Sequence, residues 1–390
     1  MSASYVPDPR DLLRRLTAEG PSMIADLERL VSAESPSADF DALRACREVL
    51  ADIGTRLLGG KPVRLPDDDA TGRPGGLLWR TGPSDRPPVL LVGHFDTVWP
   101  LGTLERRPFL VSGSRATGPG VFDMKAGLIQ GLYALARLRE VCAEEPAAAF
   151  LVTADEEIGS PCGGALATEW ARGARAALVL EGAADDGALK HARKGWSFYD
   201  IHVTGQAAHA GLEPGKGRNA LIDLARIVVR LESLTTADGQ VTVTPTMAGA
   251  GTTQNTVPDH AHVVVDVRAP DTEAQQEVDS SLRRLVAETA QLPFEITGGI
   301  NRPPLEEASA RGPLAVARDC ADLLGLAWPG SAAVGGISDG NLCAAAGAPT
   351  LDGLGAVGGG AHAEHEWVDL ARMPERAALV AALVAALPAG

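Results

Sequence analysis

Apolar positions along the chain follow two periods, and the balance between them shifts once. "MIADLERLVSAES" and "FDALRACREVLADIGTRLL" repeat apolar residues every three or four positions, the spacing of amphipathic helices. "PPVLLVGHFD" is instead a continuous apolar run, as in a strand covered on both faces. "MKAGLIQGLYALARLREV" then reads as a helix, "AAAFLVTADEE" as a strand, "ALATEWARGA" as a helix and "AALVLEG" as a strand. This βαβ rhythm predicts an α/β unit with a mixed, largely parallel sheet and helices on both faces.

The rhythm changes at "WSFYDIHVTG", which alternates as a half-exposed strand does. A helix over 220–233 follows, then strands "QVTVTPTMAG" and "HAHVVVDVRA", a helix over 272–290 and the strand "FEITGG". The order β-α-β-β-α-β is ferredoxin-like. It predicts an α+β unit over 194–302 inserted into an α/β domain built from 1–193 and 303–390. "NRPPLEE" reads as the return segment.

Composition narrows the function classes. At 390 residues the chain is long enough for two domains. Its 35 basic and 50 acidic side chains leave a net charge of −15, which argues against nucleic acid and anionic membranes as partners. Small anionic substrates stay open, since a few local cations capture them. No apolar stretch approaches a membrane span, and the opening "MSASYVPDPRDLLRRL" lacks a signal peptide's apolar run. Five scattered cysteines without a CxxC pair read as reduced thiols of a cytoplasmic protein. Cys162 lies close to an acidic triplet, but no His or second Cys stands beside it.

Ligands of open parallel sheets collect at the carboxyl ends of strands. "VLLVGHFDT" ends in His94 and Asp96, "FLVTADEE" in Glu156 and Glu157, and "LVLEG" in Glu181. "GPGVFDMKAG" places Asp123 at a helix start, and "GGGAHAEHEWV" offers His362 and His365 after a glycine-rich turn. Singly, such residues are ordinary caps and ion-pair partners. Together they are an oxygen and nitrogen donor set suited to a borderline metal such as zinc. Asp96 can accept the second imidazole N–H of His94, and one surplus Glu remains to act as a base.

"GHFDTV", "GPGVFDMKAG", "TADEEIGS", "VTGQAAHAG", "GGISDGN" and "GGGAHAEHEWV" occur in the order and spacing of a known family. The chain resembles the co-catalytic dizinc peptidases and amidohydrolases that include glutamate carboxypeptidase, acetylornithine deacetylase and succinyl-diaminopimelate desuccinylase. It is most similar to the glutamate carboxypeptidase branch. The resemblance implies two Zn2+ per chain, with Co2+ or Mn2+ as substitutes. It implies that His94 and Glu181 hold one ion, Glu157 and His362 the other, and Asp123 both. Asp96 would orient His94, and Glu156 would be the general base. The spacing to Glu366 and Val368 favours His362 over His365.

The resemblance further implies a cis peptide bond after Asp123 and a lid histidine, His209, reaching the reaction's oxyanion. Arg268 and Asn255 would take a substrate carboxylate. The inserted unit would be a lid and dimerisation domain, giving a homodimer. Glutamate-releasing relatives tend to carry an Arg where this chain has Ala332 and Ala333, which weakens the expectation of a strict C-terminal glutamate. Trp99 and Trp196 are candidates for apolar pocket surface or for core. The expected activity is hydrolysis of a peptide or N-acyl bond next to a free carboxylate, on a small peptide or N-acyl amino acid. The alternative is an N-acyl-amino-acid deacylase. A binding protein that has lost its chemistry would not need Glu156, and a phosphoesterase would need Lys or Arg beside the ligands.

Overall fold

The parallel strands form where the apolar runs are unbroken. The computed structural model describes residues 8–388, so the segment "MSASYVP" and the last two residues lie outside them. Val89–His94, Ala148–Thr153 and Ala176–Val179 are buried at every position. They form the centre of a six-stranded sheet ordered Val63–Arg64, Leu77–Thr81, Ala148–Thr153, Val89–His94, Ala176–Val179, Thr350–Leu351. The last four run parallel, and the first two close one edge antiparallel.

Burial on both faces requires cover on both. Helices Phe40–Leu58, Ala126–Val141 and Met373–Ala386 pack against Leu91, Phe150 and Leu178 on one side. Gly163–Ala171 packs against Leu90, Val92 and Leu151 on the other. Helix Phe40–Leu58 begins where Asp39 accepts from the amides of Asp41 and Ala42, and ends on Gly59 at φ +67°. The chain passes from Val89–His94 to Ala148–Thr153, then returns to Ala176–Val179 on the first strand's other side. That reversal gathers three strand ends at one edge of the sheet.

Arg193–Glu306, with Gly335–Ile337, is a second compact unit. Its sheet is ordered Thr242–Ala250, His260–Ala269, Gly195–Thr204, Phe294–Arg302, with every pair antiparallel. Tyr199, Ile201, Val203, Val263 and Val265 face helices Ala220–Leu231 and Thr272–Thr289. The intervening positions of each strand point the other way, which is the alternation visible in "WSFYDIHVTG".

Some segments differ from expectation. The strand expected over 294–299 continues to Arg302, because Arg302 still pairs with Trp196 past a register shift. A small antiparallel sheet, Leu110–Ser112, Arg115–Thr117, Trp367–Asp369 and Gly358–Gly359, has no counterpart in the sequence reading. Strands of two or three residues are too short to display a period.

Candidate metal centre

All the ligands expected from sequence except His362 leave strand ends or the start of a helix. His94 is the last residue of its strand and is 1% exposed. Glu181 follows Ala176–Val179 by two residues, and Glu156 and Glu157 open a turn after Ala148–Thr153. Asp123 sits just ahead of helix Ala126–Val141, and its peptide bond to Met124 is cis, as the resemblance leads one to expect. His362 lies on the turn after Gly358–Gly359, at φ +61°, a left-handed conformation uncommon for a side chain with a Cβ.

These side chains converge into two sets of donor atoms. His94, Asp123 and Glu181 form one, and Asp123, Glu157 and His362 the other, with the atoms of each set within 4.8 Å of one another. His94 Nε2 is 3.3 Å from Asp123 and 3.5 Å from Glu181. It is buried yet makes no directed hydrogen bond. His362 Nε2 is 3.3 Å from Asp123 and 3.0 Å from Glu157. A buried imidazole nitrogen aimed between two carboxylates, without a hydrogen bond of its own, fits a divalent cation well.

The electrostatics say the same. Burial opposes protonation of His94, yet Asp123, Asp96 and Glu181 outweigh it and raise its pKa well above the ordinary value. Asp123 and Glu157 raise His362 to about 10. Burial pushes the Glu157 carboxyl up, against the pull of His362. So much negative charge in one place calls for cations, and protons serve when nothing else does.

Asp96 does more than face His94. Its Oδ1 lies 3.3 Å from His94 Nδ1, and the nearer acceptor for that nitrogen is its own backbone oxygen, at 3.0 Å. Its carboxylate also accepts from the amides of Glu156 (3.1 Å) and Glu157 (3.2 Å) and from Ser37 Oγ (2.7 Å). Asp96 thereby sets the acidic triplet against the neighbouring strand end. Asp155, the triplet's first member, accepts from the amides of Cys162 and Gly163 and is structural.

Sequence reasoning missed three supports. Asp339, buried at a helix start, accepts from Ser160 Oγ (2.5 Å) and Thr153 Oγ1 (3.2 Å), pinning the turn that carries Glu156 and Glu157. Its signal was present in "GGISDGN". Ser37 bonds to Asp96 with no motif to mark it, and Glu366, used above only as a spacing landmark for His362, spends its carboxylate on three backbone amides and one indole. Trp99, considered for apolar pocket surface, donates its indole N–H to Glu366 (3.0 Å) and stacks under Arg107.

The second unit holds the remaining candidates. The amides of Gly211 and Leu212 both donate to His209 Nδ1, at 3.1 Å. In the neutral ring this leaves the proton on Nε2, on an exposed side chain. The segment of Asn255 lies beside it, since Ala210 N donates to Asn255 O (2.8 Å). Arg268 spends one edge of its guanidinium on Asp266, at 2.8 and 2.9 Å. Trp196 stacks on Arg268 and donates to the same Asp266.

Comparison with known proteins places this architecture. The model of a family described as peptidase family M20/M25/M40 matches residues 90–386. Carboxypeptidase G2 of Pseudomonas sp. (strain RS-16) is 30% identical over 396 residues, covering 97% of this chain and 92% of that protein. Among solved structures, the aminopeptidase PepT of Bacillus cereus superposes with a TM-score of 0.77 at 22% identity, over 94% of this chain and 98% of its own. A dinuclear metal-binding M20 peptidase of Bacillus subtilis superposes with a TM-score of 0.69 at 18% identity, over 94% and 98%.

Proposed function

Because the chain belongs to peptidase family M20/M25/M40 and is a metallopeptidase, we propose that it hydrolyses a peptide or N-acyl amide bond next to a free carboxylate. The observation that carries this reading is the pair of ligand sets sharing Asp123. Imidazole and carboxylate donors suit zinc, with cobalt or manganese as substitutes. Bound there, two zinc ions would supply an activated water and polarise the amide carbonyl.

The chain's own groups do the rest. His94 and Glu181 would hold one ion and Glu157 and His362 the other, with Asp123 contributing to both sets. Asp96 fixes the triplet so that Glu156 takes the proton of the attacking water and returns it to the leaving nitrogen. The Nε2–H of His209 donates to the oxyanion that develops on the carbonyl oxygen. The second unit acts as lid and dimerisation domain. Exposed Val229 (73%) and Ile222 (52%) on one helix and Met247 (67%) on an edge strand support pairing of two copies. The five cysteines form no disulfide, which supports a cytoplasmic setting.

A hydrolysis panel on the zinc-loaded protein tests the activity. It compares dipeptides, folyl-glutamates and N-acetyl amino acids by release of free amine. Cleavage of peptides in preference to N-acetyl amino acids is expected. The reverse preference establishes the deacylase alternative, and no cleavage next to any free carboxylate sinks both.

Carboxylate recognition falls to Arg268 and Asn255. With Asp266 on one edge of the guanidinium, the substrate takes the other. Arg268→Ala should raise KM about 10–100-fold, the worth of a charge-assisted hydrogen bond, with kcat little changed. Substrates capped as C-terminal amides should show no such change. An equal effect on capped and free substrates would dismiss Arg268 as the anchor.

Metal binding should release protons. Asp123 and Glu157 raise the pKa of His362 to about 10, so its ring is protonated at pH 7.5 before metal arrives, and the carboxylates around His94 shift that ring in the same direction. Ligation needs the neutral ring, so filling the Glu157–His362 position should release about one proton, and its affinity should climb with pH until about 10. Calorimetry in two buffers of different ionisation enthalpy measures the number. Zinc binding with no proton release contradicts this ligand set.

A further inference from the structure

We propose that Glu366 is a positioning residue that locks Asp123 and His362 into register. Its side chain is 0% exposed. Oε1 accepts from the amides of Phe122 (2.9 Å) and Asp123 (3.1 Å), and Oε2 from the amide of Gly120 (2.9 Å) and from Trp99 Nε1 (3.0 Å). Four donors meet one carboxylate, which has about four acceptor sites and no proton to place. One side chain thus joins the loop after Val89–His94, the segment carrying Asp123 and the turn carrying His362.

The surrounding backbone is built for that approach. Gly120 stands at φ +70°, and a Cβ there would come within 2.5 Å of Thr97. Gly360 stands at φ +77°, and a Cβ there would lie 3.0 Å from Glu366 Cα. The turn closes through Ala363 N to Gly360 O (2.9 Å) and Glu366 N to Ala363 O (3.0 Å). Arg107, stacked 4.2 Å over Trp99, reaches Ala363 O at 3.5 Å.

The two ligand sets depend on this lock unequally. His94 ends a fully buried strand, and Glu181 follows another by two residues. His362 is 54% exposed on a left-handed turn, and its register with Asp123 runs through Glu366. Glu366→Gln keeps the shape but keeps only one acceptor oxygen, and its amide hydrogens would oppose two of the four donors. It should therefore weaken the Glu157–His362 position about 10–100-fold, the usual cost of losing an outer partner of a metal ligand. The His94–Glu181 position should change several-fold less.

This inference rests on the two-ion reading above, and the experiment separates the two. Cobalt is titrated against a competing chelator into wild type, Glu366→Gln and Trp99→Phe, following the visible absorption of each position. Trp99→Phe removes one donor and keeps a ring beneath Arg107, so it should shift the same position in the same direction by less. It carries the test if Glu366→Gln does not fold. Two positions in wild type with selective weakening of one in the variants supports the lock. Two positions in wild type with equal weakening of both, or with none, overturns the lock and leaves the centre standing. Fewer than two positions in wild type overturns both.

Discussion

Glu156→Gln should retain fold and metal and lose about 10²–10⁴-fold in kcat, the range for a positioned general base. Gln has nearly the same volume and still presents an oxygen to the water, but it cannot accept a proton. Glu156 belongs to neither ligand set, so metal content should stay near that of wild type. Its backbone amide is held by Asp96, and that bond does not depend on the side chain. Metal analysis beside steady-state kinetics therefore separates a lost base from a lost ion. A Glu156→Gln enzyme that turns over at near-normal rate removes Glu156 from the chemistry. A variant that loses metal along with activity would place Glu156 among the ligands instead.

The neighbouring residues show what could be read from the chain. Glu156 and Glu157 follow a run too apolar to end naturally in three acids, so the conflict between burial and charge was visible without coordinates. His94, Asp123 and Glu181 were legible for the same reason, as polar residues where a parallel sheet collects its ligands. The helix Phe40–Leu58 and the strand His260–Ala269 carry strong periods and occur where the periods put them.

What stayed hidden works through backbone or partner. Three of Glu366's four donors are amides, a group every residue but proline has, so their identity could not point back to it. Ser37 meets Asp96 from 59 positions away, with no local pattern linking the two. The Arg268–Asp266 pair was closer to view. Residues two apart on a strand share a face, so the alternation of "VVVDVRA" already placed acid and base together. Its consequence, that one edge of Arg268 is already occupied, needed the distances.

His209→Ala should lose about 10²–10³-fold in kcat, the cost of removing one oxyanion donor, while metal content is unchanged. The metal ligands all lie in the first unit and His209 in the second, whose exposed apolar helix and edge strand support pairing with another copy. In a two-fold dimer a shared His209 is lent reciprocally, each lid serving the partner's centre. Two inactive variants, Glu156→Ala and His209→Ala, can then complement. A mixed dimer holds one site with both lesions and one with neither. Random mixing in equal amounts makes half the dimers mixed, so about a quarter of wild-type activity should return. That lies well above the residue left in either parent. If His209 serves its own chain, every site carries one lesion and nothing returns. Mixtures as inactive as their parents, with subunit exchange confirmed by differently tagged chains, would rule out the shared site and leave His209 acting within one subunit.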